Sequence, residues 1–303
     1  MSSRRPHIFR HLLLLILLVV VVVCMRPLLS HGSRPGEAEL AQRPNRLTVL
    51  TWNTHQMGQF RKPIHNEVLR YLTQQDADII CLQEVDVYKT PEFLTLAEVK
   101  KTLGQKYPYS YIDFAVYNRR RQFGNMVWSK YPLINKHTVE YEIRANLSSR
   151  CDVVINDDTL RLIVNHLESN RFDSKDLSSN SLDYGHLRQS AHSMGQKWGA
   201  ASCRRHEQAR IVRHEVKSSP YPVIVVGDFN DIALSYTYHI IAKGLHDAWL
   251  ETGWFQWGAT CEKMGIGLRI DYILSDSSIK PVSCQVPHVS GSDHYPVVAT
   301  LAW

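Results

Sequence analysis

The sequence lacks the features that mark several common classes of protein. Its six cysteines form no CxxC pair, and no Cys and His spacing suggests a zinc site. No internal repeat is present, and most of the chain has no charge bias. Residues 1–46 carry seven Lys or Arg and two Asp or Glu, so only +1 of the net charge of +6 belongs to residues 47–303. A basic face is usual in proteins that grip the nucleic-acid backbone, and the composition gives no support for one.

Cysteine usage leaves the redox compartment of the domain open. Cys81 lies within an apolar run, and we interpret it as a small core residue. If the domain is exported, a disulfide could form among the other cysteines of the domain, which are Cys151, Cys203, Cys261 and Cys284. The sequence alone does not give their pairing.

Basic residues precede an apolar run at the N-terminus. Arg4, Arg5 and Arg10 come before Leu12–Met25, a pattern typical of a signal peptide or a signal anchor. The run is short for a spanning helix, which needs about 20 residues. Because Ser30-His31-Gly32 is a tolerable cleavage site, both alternatives stay open. The positive-inside rule predicts that the rest of the chain is outside the cytoplasm, periplasmic or at the cell surface, and secreted if the segment is cleaved.

Composition divides the chain into three parts. We predict a signal anchor or signal peptide over residues 1–29 and a linker rich in Pro, Gly, Arg and Glu over residues 30–46. Residues 47–303 form the main domain, in which short apolar strands alternate with helices. Strands are predicted at 47–52, 79–82, 125–129, 151–155, 160–167, 223–226, 270–274 and 295–302, and helices at 64–75, 90–104 and 206–217. A long polar loop is predicted over 168–205. This order predicts an α/β protein of two packed sheets with helices outside.

Polar residues lie at the ends of these predicted strands. They are Asn53, Glu84, His166, Asp228, Asn230 and Asp271, and Asp293-His294 directly precedes the last strand. Strand ends can meet at one edge of a sheet, so we expect these side chains to line one cleft. For each residue alone, a turn, a solvated carboxylate or a core histidine is the better explanation. Such structural roles do not explain why all of these residues occur together in this order.

Hydrolysis of a phosphate ester is the chemistry that suits these residues. The anionic ester repels hydroxide, so catalysis must neutralise charge on the phosphoryl and leaving oxygens and position a water in line. Hard oxygen ligands bind Mg²⁺ or Mn²⁺, and we predict such a site at Asn53, Glu84 and Asp293. One or two ions would supply Lewis acidity.

The other polar residues suit proton transfer and charge stabilisation. His294 can accept a proton from water near neutral pH if a carboxylate fixes its tautomer, and Asp271 is the candidate for that carboxylate. His166 and Asn230 can donate hydrogen bonds to the phosphate. Asp228 can orient the attacking water.

Segments that contain these residues resemble the signature blocks of the endonuclease/exonuclease/phosphatase superfamily. In order they are Thr51-Trp52-Asn53, Leu82-Gln83-Glu84, Ser129-Lys130-Tyr131-Pro132, Asn165-His166-Leu167, Gly227-Asp228-Phe229-Asn230, Asp271-Tyr272 and Ser292-Asp293-His294. The resemblance covers residues 47–303 as one catalytic domain and is greatest to membrane-attached bacterial members. It implies a four-layered α/β sandwich of the DNase I type.

The resemblance also implies roles for single residues. Glu84 and Asp293 would lie at the metal, and His166 would stabilise the pentacovalent phosphate. Asp228 with Asn230 would align the nucleophile, and Asp271 would orient His294. The general base would be either His294 or Asp228.

Three functions are compatible with the sequence. The first is an extracytoplasmic phosphodiesterase that acts on nucleic acid or nucleotides, and no protein partner is inferred. The second is a phospholipid or sphingomyelin-type phosphodiesterase, or a phosphomonoesterase, which membrane attachment favours. Aromatic residues before Asp271 are either an interfacial or base-stacking surface or ordinary core and loop residues: Trp249, Trp254, Phe255 and Trp257. The third is an inactive binding module, against which the retention of every polar position argues.

Overall fold

The structure is a computed structural model of the 303-residue chain. It describes residues 29–30, 32, 35–59, 65–142, 146–169, 184–253, 255–263 and 266–303. Within these ranges no helix is long and apolar enough to cross a membrane. The predicted signal segment lies outside the described residues except for its last residue, Leu29.

Two six-stranded mixed sheets form the body of the domain. The first has the order β13-β14-β1-β2-β4-β3, with strands β1 (Arg46–Asn53), β2 (Ile79–Tyr88), β3 (Tyr109–Tyr117), β4 (Arg121–Ser129), β13 (Lys280–Gln285) and β14 (Val297–Ala302). The second has the order β5-β6-β7-β8-β12-β9, with strands β5 (Leu133–Val139), β6 (Leu147–Ile155), β7 (Asp158–His166), β8 (Val223–Asp228), β9 (Leu245–Asp247) and β12 (Asp271–Asp276). A separate hairpin joins β10 (Cys261–Lys263) and β11 (Ile266–Leu268).

The helices in the described part of the chain are α1 (Glu37–Ala41), α2 (His55–Gln59), α3 (Glu67–Gln74), α4 (Leu96–Leu103), α5 (Tyr184–Lys217), α6 (Tyr236–Ala242) and α7 (Ala248–Thr252). Helices α3 and α4 cover the outer face of the first sheet, and α5 and α6 cover that of the second. Three apolar clusters separate the layers: one between the sheets, one under α3 and α4, and one under α5 and α6. The predicted four-layered α/β sandwich is therefore confirmed.

Strand β1 illustrates why the strands read as continuous apolar runs. Leu47 and Val49 point into the cluster between the sheets, whereas Leu50 and Trp52 point into the cluster under α3 and α4. Alternate side chains of a strand face opposite sides of its sheet. Both faces of this sheet are covered, so both sets must be apolar.

One predicted helix and one predicted loop have different limits in the structure. The helix predicted over 90–104 begins only at Leu96, because Thr95 and Glu98 form a capping box that satisfies its first N–H groups. The loop predicted over 168–205 was wrong in its second half, since α5 begins at Tyr184. The first half of α5 is polar in sequence and gives no apolar period from which a helix could be predicted.

Several other predictions can be compared directly with the structure. The hairpin predicted through residues 156–158 is formed by β6 and β7, with Asn156 in the left-handed conformation at φ 54°. The predicted linker contains the helix α1 and the first residue of β1. The five cysteines in the described part of the chain are all free, and Cys81 is a buried core residue.

Candidate active site

Asn53 joins the two sheets at one edge of the sandwich. Parallel pairing of β1 with β2, and of β7 with β8, brings the C-terminal ends of these four strands to that edge. The Asn53 Nδ2 group donates to Glu84 Oε1 at 3.2 Å and to Asp228 Oδ2 at 2.9 Å. Its Oδ1 atom accepts from the His55 N–H at 3.1 Å. One buried amide thus connects carboxylates from different sheets.

A β-bulge sets the direction of the Glu84 side chain. The register between β2 and β4 shifts between Leu82 and Val85, and Glu84 has a left-handed φ of 51°. Bulges often re-aim side chains beside active sites, and strained residues of this kind cluster there. Burial by itself would raise the pKa of Glu84, but His166 and Asn53 outweigh it and lower that pKa to about 2. Glu84 is therefore a carboxylate at any ordinary pH.

His166 lies at the end of β7 and is almost fully buried. Its Nε2 atom is 3.3 Å from Glu84 Oε1, but the atoms are not aligned as a hydrogen bond, so the contact is electrostatic and Nε2 has no bonded partner among the described residues. Burial would lower the pKa of His166, whereas Glu84 and then Asp228 raise it, and the net shift is upward. The imidazolium form is therefore favoured beside the carboxylates.

The turn after β8 fixes Asp228 and Asn230. The Asn230 N–H donates to Asp228 Oδ1 at 2.7 Å, and Asn230 Nδ2 donates to the Leu167 carbonyl at 3.0 Å, next to His166. Gly227 has φ 116°, and a Cβ atom there would overlap the backbone of Asn165 on β7. Only glycine lets β8 approach β7 this closely.

Asp271 and His294 form a buried pair. Asp271 Oδ2 is 2.9 Å from His294 Nδ1 and accepts a hydrogen bond from the Thr260 hydroxyl at 2.6 Å. On the other side of the ring, His294 Nε2 is 3.9 Å from Asp228 Oδ2. Burial would lower the pKa of His294, but the charges of Asp271 and Asp228 raise it well above its usual value. Burial and the charge of Asp271 raise the pKa of Asp228.

Asp293 lies on the rim of the site. Its Oδ1 atom is 3.3 Å from His55 Nδ1, and the side chain is 43% exposed. Among the described residues, the compact groups with metal-ligand chemistry are Cys261 with Asp293 and His294, and Asp228 with Asp271 and His294. Glu84 belongs to neither group. The structure thus brings Asn53, Glu84, His166, Asp228, Asn230, Asp271 and His294 together, and places Asp293 at the edge, beside His294.

We expect the charges around His294 to be visible in a pH titration. In protein treated with EDTA, NMR should give His294 a pKa above 6.5, and Asp271→Asn should lower it by removing the nearest negative charge. A histidine with a raised pKa in the folded state stabilises the protein fully below about pH 6.5, and this contribution is lost as the pH rises through the folded pKa. The free energy of unfolding should decline less in Asp271→Asn than in the wild type above that pH. Equal His294 pKa values in both proteins would contradict the assignment.

The structure adds two supporting residues that the sequence analysis missed. The Thr260 hydroxyl donates to Asp271 Oδ2 and accepts the Asp271 N–H at 3.1 Å, so it fixes the carboxylate that faces His294. Arg205 of α5 is fully buried, and it donates to the Glu168 carbonyl at 3.0 Å and to Asp231 Oδ2 at 3.2 Å. It therefore ties together the two loops that follow His166 and Asp228. No local sequence pattern indicates Thr260 or Arg205, because the groups that they contact are 11–37 positions away along the chain.

Comparisons with known proteins agree with this geometry. The profile described as "Endonuclease/Exonuclease/phosphatase family" matches residues 50–294, and no curated protein matches the chain. One similar solved structure is D. rerio TDP2 complexed with single strand DNA product, with a TM-score of 0.58 and 17% identity over 85% of this chain and 99% of that chain. An endonuclease/exonuclease/phosphatase from Beutenbergia cavernae has a TM-score of 0.58 and 17% identity over 85% and 71% of the two chains. Sphingomyelinase C from Streptomyces griseocarneus has a TM-score of 0.52 and 15% identity over 84% and 99%.

Proposed function

Because the chain belongs to the endonuclease/exonuclease/phosphatase family, we propose that it is a divalent-cation-dependent phosphodiesterase. The observation that carries the proposal is the buried cluster in which Asn53 joins Glu84 to Asp228, with a histidine beside each carboxylate. Burying so many ionisable groups together costs folding stability, so a cluster of this kind indicates a functional site. A phosphodiester is the substrate class whose charge and geometry match this set.

Glu84 is the residue best suited to hold the cation. Its carboxylate is ionised and 22% exposed, so oxygen is available for a hard ion such as Mg²⁺ or Mn²⁺. Asn53 and Asp293 are the further ligands that we propose, and Asn53 Oδ1, which accepts the His55 N–H, keeps a second lone pair for the ion. When bound, the ion would stabilise negative charge on the phosphoryl and leaving oxygens.

The side chains themselves suggest how the water is activated. The 3.9 Å separation of His294 Nε2 from Asp228 Oδ2 is too long for a hydrogen bond, so both atoms can face one attacking water. Asp271 and Thr260 hold the imidazole in place through Nδ1. In this mechanism His294 takes the proton and Asp228 orients the water, while His166, as imidazolium, offsets charge on the phosphoryl oxygens.

A substrate panel tests the proposal. The full chain, purified in detergent, would be assayed with Mg²⁺ or Mn²⁺ on plasmid DNA, RNA, sphingomyelin, phosphoinositides and a chromogenic phosphodiester. We expect hydrolysis of the chromogenic diester and of at least one natural diester. Release of inorganic phosphate from the phosphoinositides alone would favour the phosphatase alternative, and no hydrolysis with either ion would support an inactive binding module.

We propose, in addition, that the N-terminal segment anchors the domain outside the cytoplasm. Arg4, Arg5 and Arg10 precede the apolar run Leu12–Met25, and this order supports a cytoplasmic N-terminus. Protease added to spheroplasts that express the full chain should digest the domain while a cytoplasmic marker protein stays intact. Digestion only after lysis would place the domain inside.

A further inference from the structure

The chain just after the predicted anchor is built into the domain. Ser30 is fully buried, and its N–H donates to the Gln256 carbonyl at 3.1 Å. In return, the Phe255 N–H donates to the Ser30 carbonyl at 2.7 Å, and the Gln256 N–H donates to Ser30 Oγ at 3.0 Å. The Gly32 N–H donates to the Leu250 carbonyl at 2.8 Å. We call Ser30 and Gly32 the N-terminal strap.

Two glycines allow the N-terminal strap to lie this close. A Cβ atom at Gly32 would overlap the backbone of Glu251, and one at Gly253 would lie 2.7 Å from Ser30 Oγ. At Gly32 the overlap is with backbone atoms, so no side chain is tolerated there, whereas a side chain at Gly253 would displace the Ser30 side chain. The strap is therefore a fitted part of the domain.

The strap contacts a loop that presents exposed aromatic rings. Phe255 is 71% exposed and Trp257 is 40% exposed, and Trp257 Nε1 donates to the Gly267 carbonyl at 2.7 Å, which fixes its ring. We call Phe255 and Trp257 the aromatic face. The same loop continues to Thr260, which donates to Asp271, the residue that positions His294. The aromatic face is thus three to five residues along the chain from Thr260, which contacts the site.

Chain length limits the distance between this face and the predicted anchor. Only residues 26–29 separate the apolar run, which ends at Met25, from Ser30. Because an extended chain spans at most about 3.3–3.6 Å per residue, Ser30 can lie no more than on the order of 17 Å from the end of the run. Phe255 is hydrogen-bonded to Ser30, so it must lie at a similar depth.

We propose that the aromatic face rests on the surface of the bilayer that holds the N-terminal segment. This inference depends on the proposed anchor. Phe and Trp side chains partition favourably into the headgroup region, where an apolar ring can be buried while the Trp N–H stays satisfied. The active site then opens beside lipid headgroups, and its phosphodiester substrates are those within reach of that surface.

The strap also bears on whether the segment is cleaved. The small-x-small sequence at residues 30–32 lies within the strap, so cleavage after it would remove the hydrogen bonds from Ser30 to Phe255 and Gln256. The proposal therefore requires the uncleaved chain. Mass spectrometry of the protein purified from membranes should therefore give the mass of the uncleaved chain.

An environment-sensitive fluorophore tests the proposal in the full chain. Cys24, Cys203 and Cys284 would be replaced by serine, and the cysteine introduced by Phe255→Cys would be labelled, because the remaining Cys81, Cys151 and Cys261 are buried. After reconstitution into phosphatidylcholine vesicles, we expect the emission to be shifted to the blue relative to the same fluorophore at Ile134→Cys in the same vesicles. Brominated phosphatidylcholine in the vesicles should quench the label.

Two variants provide controls on the same background. A label at Ile134→Cys, on an exposed position that pairs with Asp152 far from the catalytic ends of the strands, should stay in water and escape quenching. Adding Gly32→Val to the Phe255→Cys protein should undock the strap and reduce the quenching, while hydrolysis of a soluble chromogenic diester is unchanged.

The outcomes separate this proposal from the proposed enzyme activity. If the label at position 255 is not quenched while the reconstituted protein still hydrolyses the soluble diester, the contact of the aromatic face with the bilayer is refuted. The proposed enzyme activity is then unaffected. Equal quenching at positions 255 and 134 would also refute that contact. A blue shift on adding single-stranded oligonucleotide, with none in vesicles, would show instead that the aromatic face stacks on bases.

Discussion

Replacing His294 with alanine is expected to lower kcat by about 10²–10⁴-fold, the usual contribution of a general base. KM should change little, because the imidazole acts mainly in the transition state. The geometry supports a large effect, since His294 Nδ1 is held by Asp271 and Nε2 faces Asp228 across 3.9 Å. Asp271→Asn should be milder, because the ring remains while its orientation weakens.

Replacing His166 should show that His166 and His294 act together in catalysis. His166→Ala removes a positive group beside Glu84, and loss of one transition-state donor costs about 10²–10³-fold in kcat. The double variant should lose less than the product of the single losses. The pH profile separates the two candidate bases: if His294 is the base, the rate should rise as the pH passes through its raised pKa.

A histidine outside the site serves as the control for the His294 and His166 variants. His214→Ala changes an exposed histidine near the C-terminal end of α5, away from the catalytic edge, and should leave kcat unchanged. Melting temperature and kcat would be measured on the same preparations of all variants. A fully active His294→Ala enzyme would end the assignment, and parallel loss of melting temperature and activity would indicate a structural role.

Removal of the divalent cation is expected to abolish hydrolysis, and Mg²⁺ or Mn²⁺ should restore it. Glu84→Gln should lower kcat on the order of 10²-fold or more, since a bound ion supplies several kcal/mol of transition-state stabilisation. The substitution keeps the size of the side chain and the hydrogen-bonding shape around Asn53. High cation concentration should restore part of the activity, because the variant binds the ion more weakly.

The matched control for Glu84 is the same substitution at an exposed carboxylate after β2. Glu92→Gln should leave both the rate and its cation dependence unchanged. The cation dependence would be measured as the rate against free Mg²⁺ for the wild type and both variants. Unchanged activity in EDTA, or identical cation curves for wild type and Glu84→Gln, would contradict a cation site at Glu84.

Local sequence patterns predict eight of the twelve strands in the two sheets and miss β3, β5, β9 and β13. They also indicate the polar residues that the structure brings together at one edge of the sandwich. Strand β8 and Asp228 are an example, because an apolar run and the polar residues that end it are adjacent along the chain. The apolar runs and the polar residues at their ends are local patterns, so they can be recognised in the sequence before the fold is known. The long polar helix α5 was missed, because its polar half carries no such pattern.

The contacts among the polar residues of the site follow only from the tertiary structure. Asn53 contacts Glu84 from the neighbouring strand and Asp228 from the other sheet, 175 positions along the chain. Asp293, which we propose as a cation ligand, lies at the rim, where its Oδ1 atom is 3.3 Å from His55 Nδ1. Thr260 and the N-terminal strap reach their partners only because distant loops pack together. Hydrogen bonds between side chains far apart in sequence depend on the three-dimensional path of the chain, and no local period encodes that path.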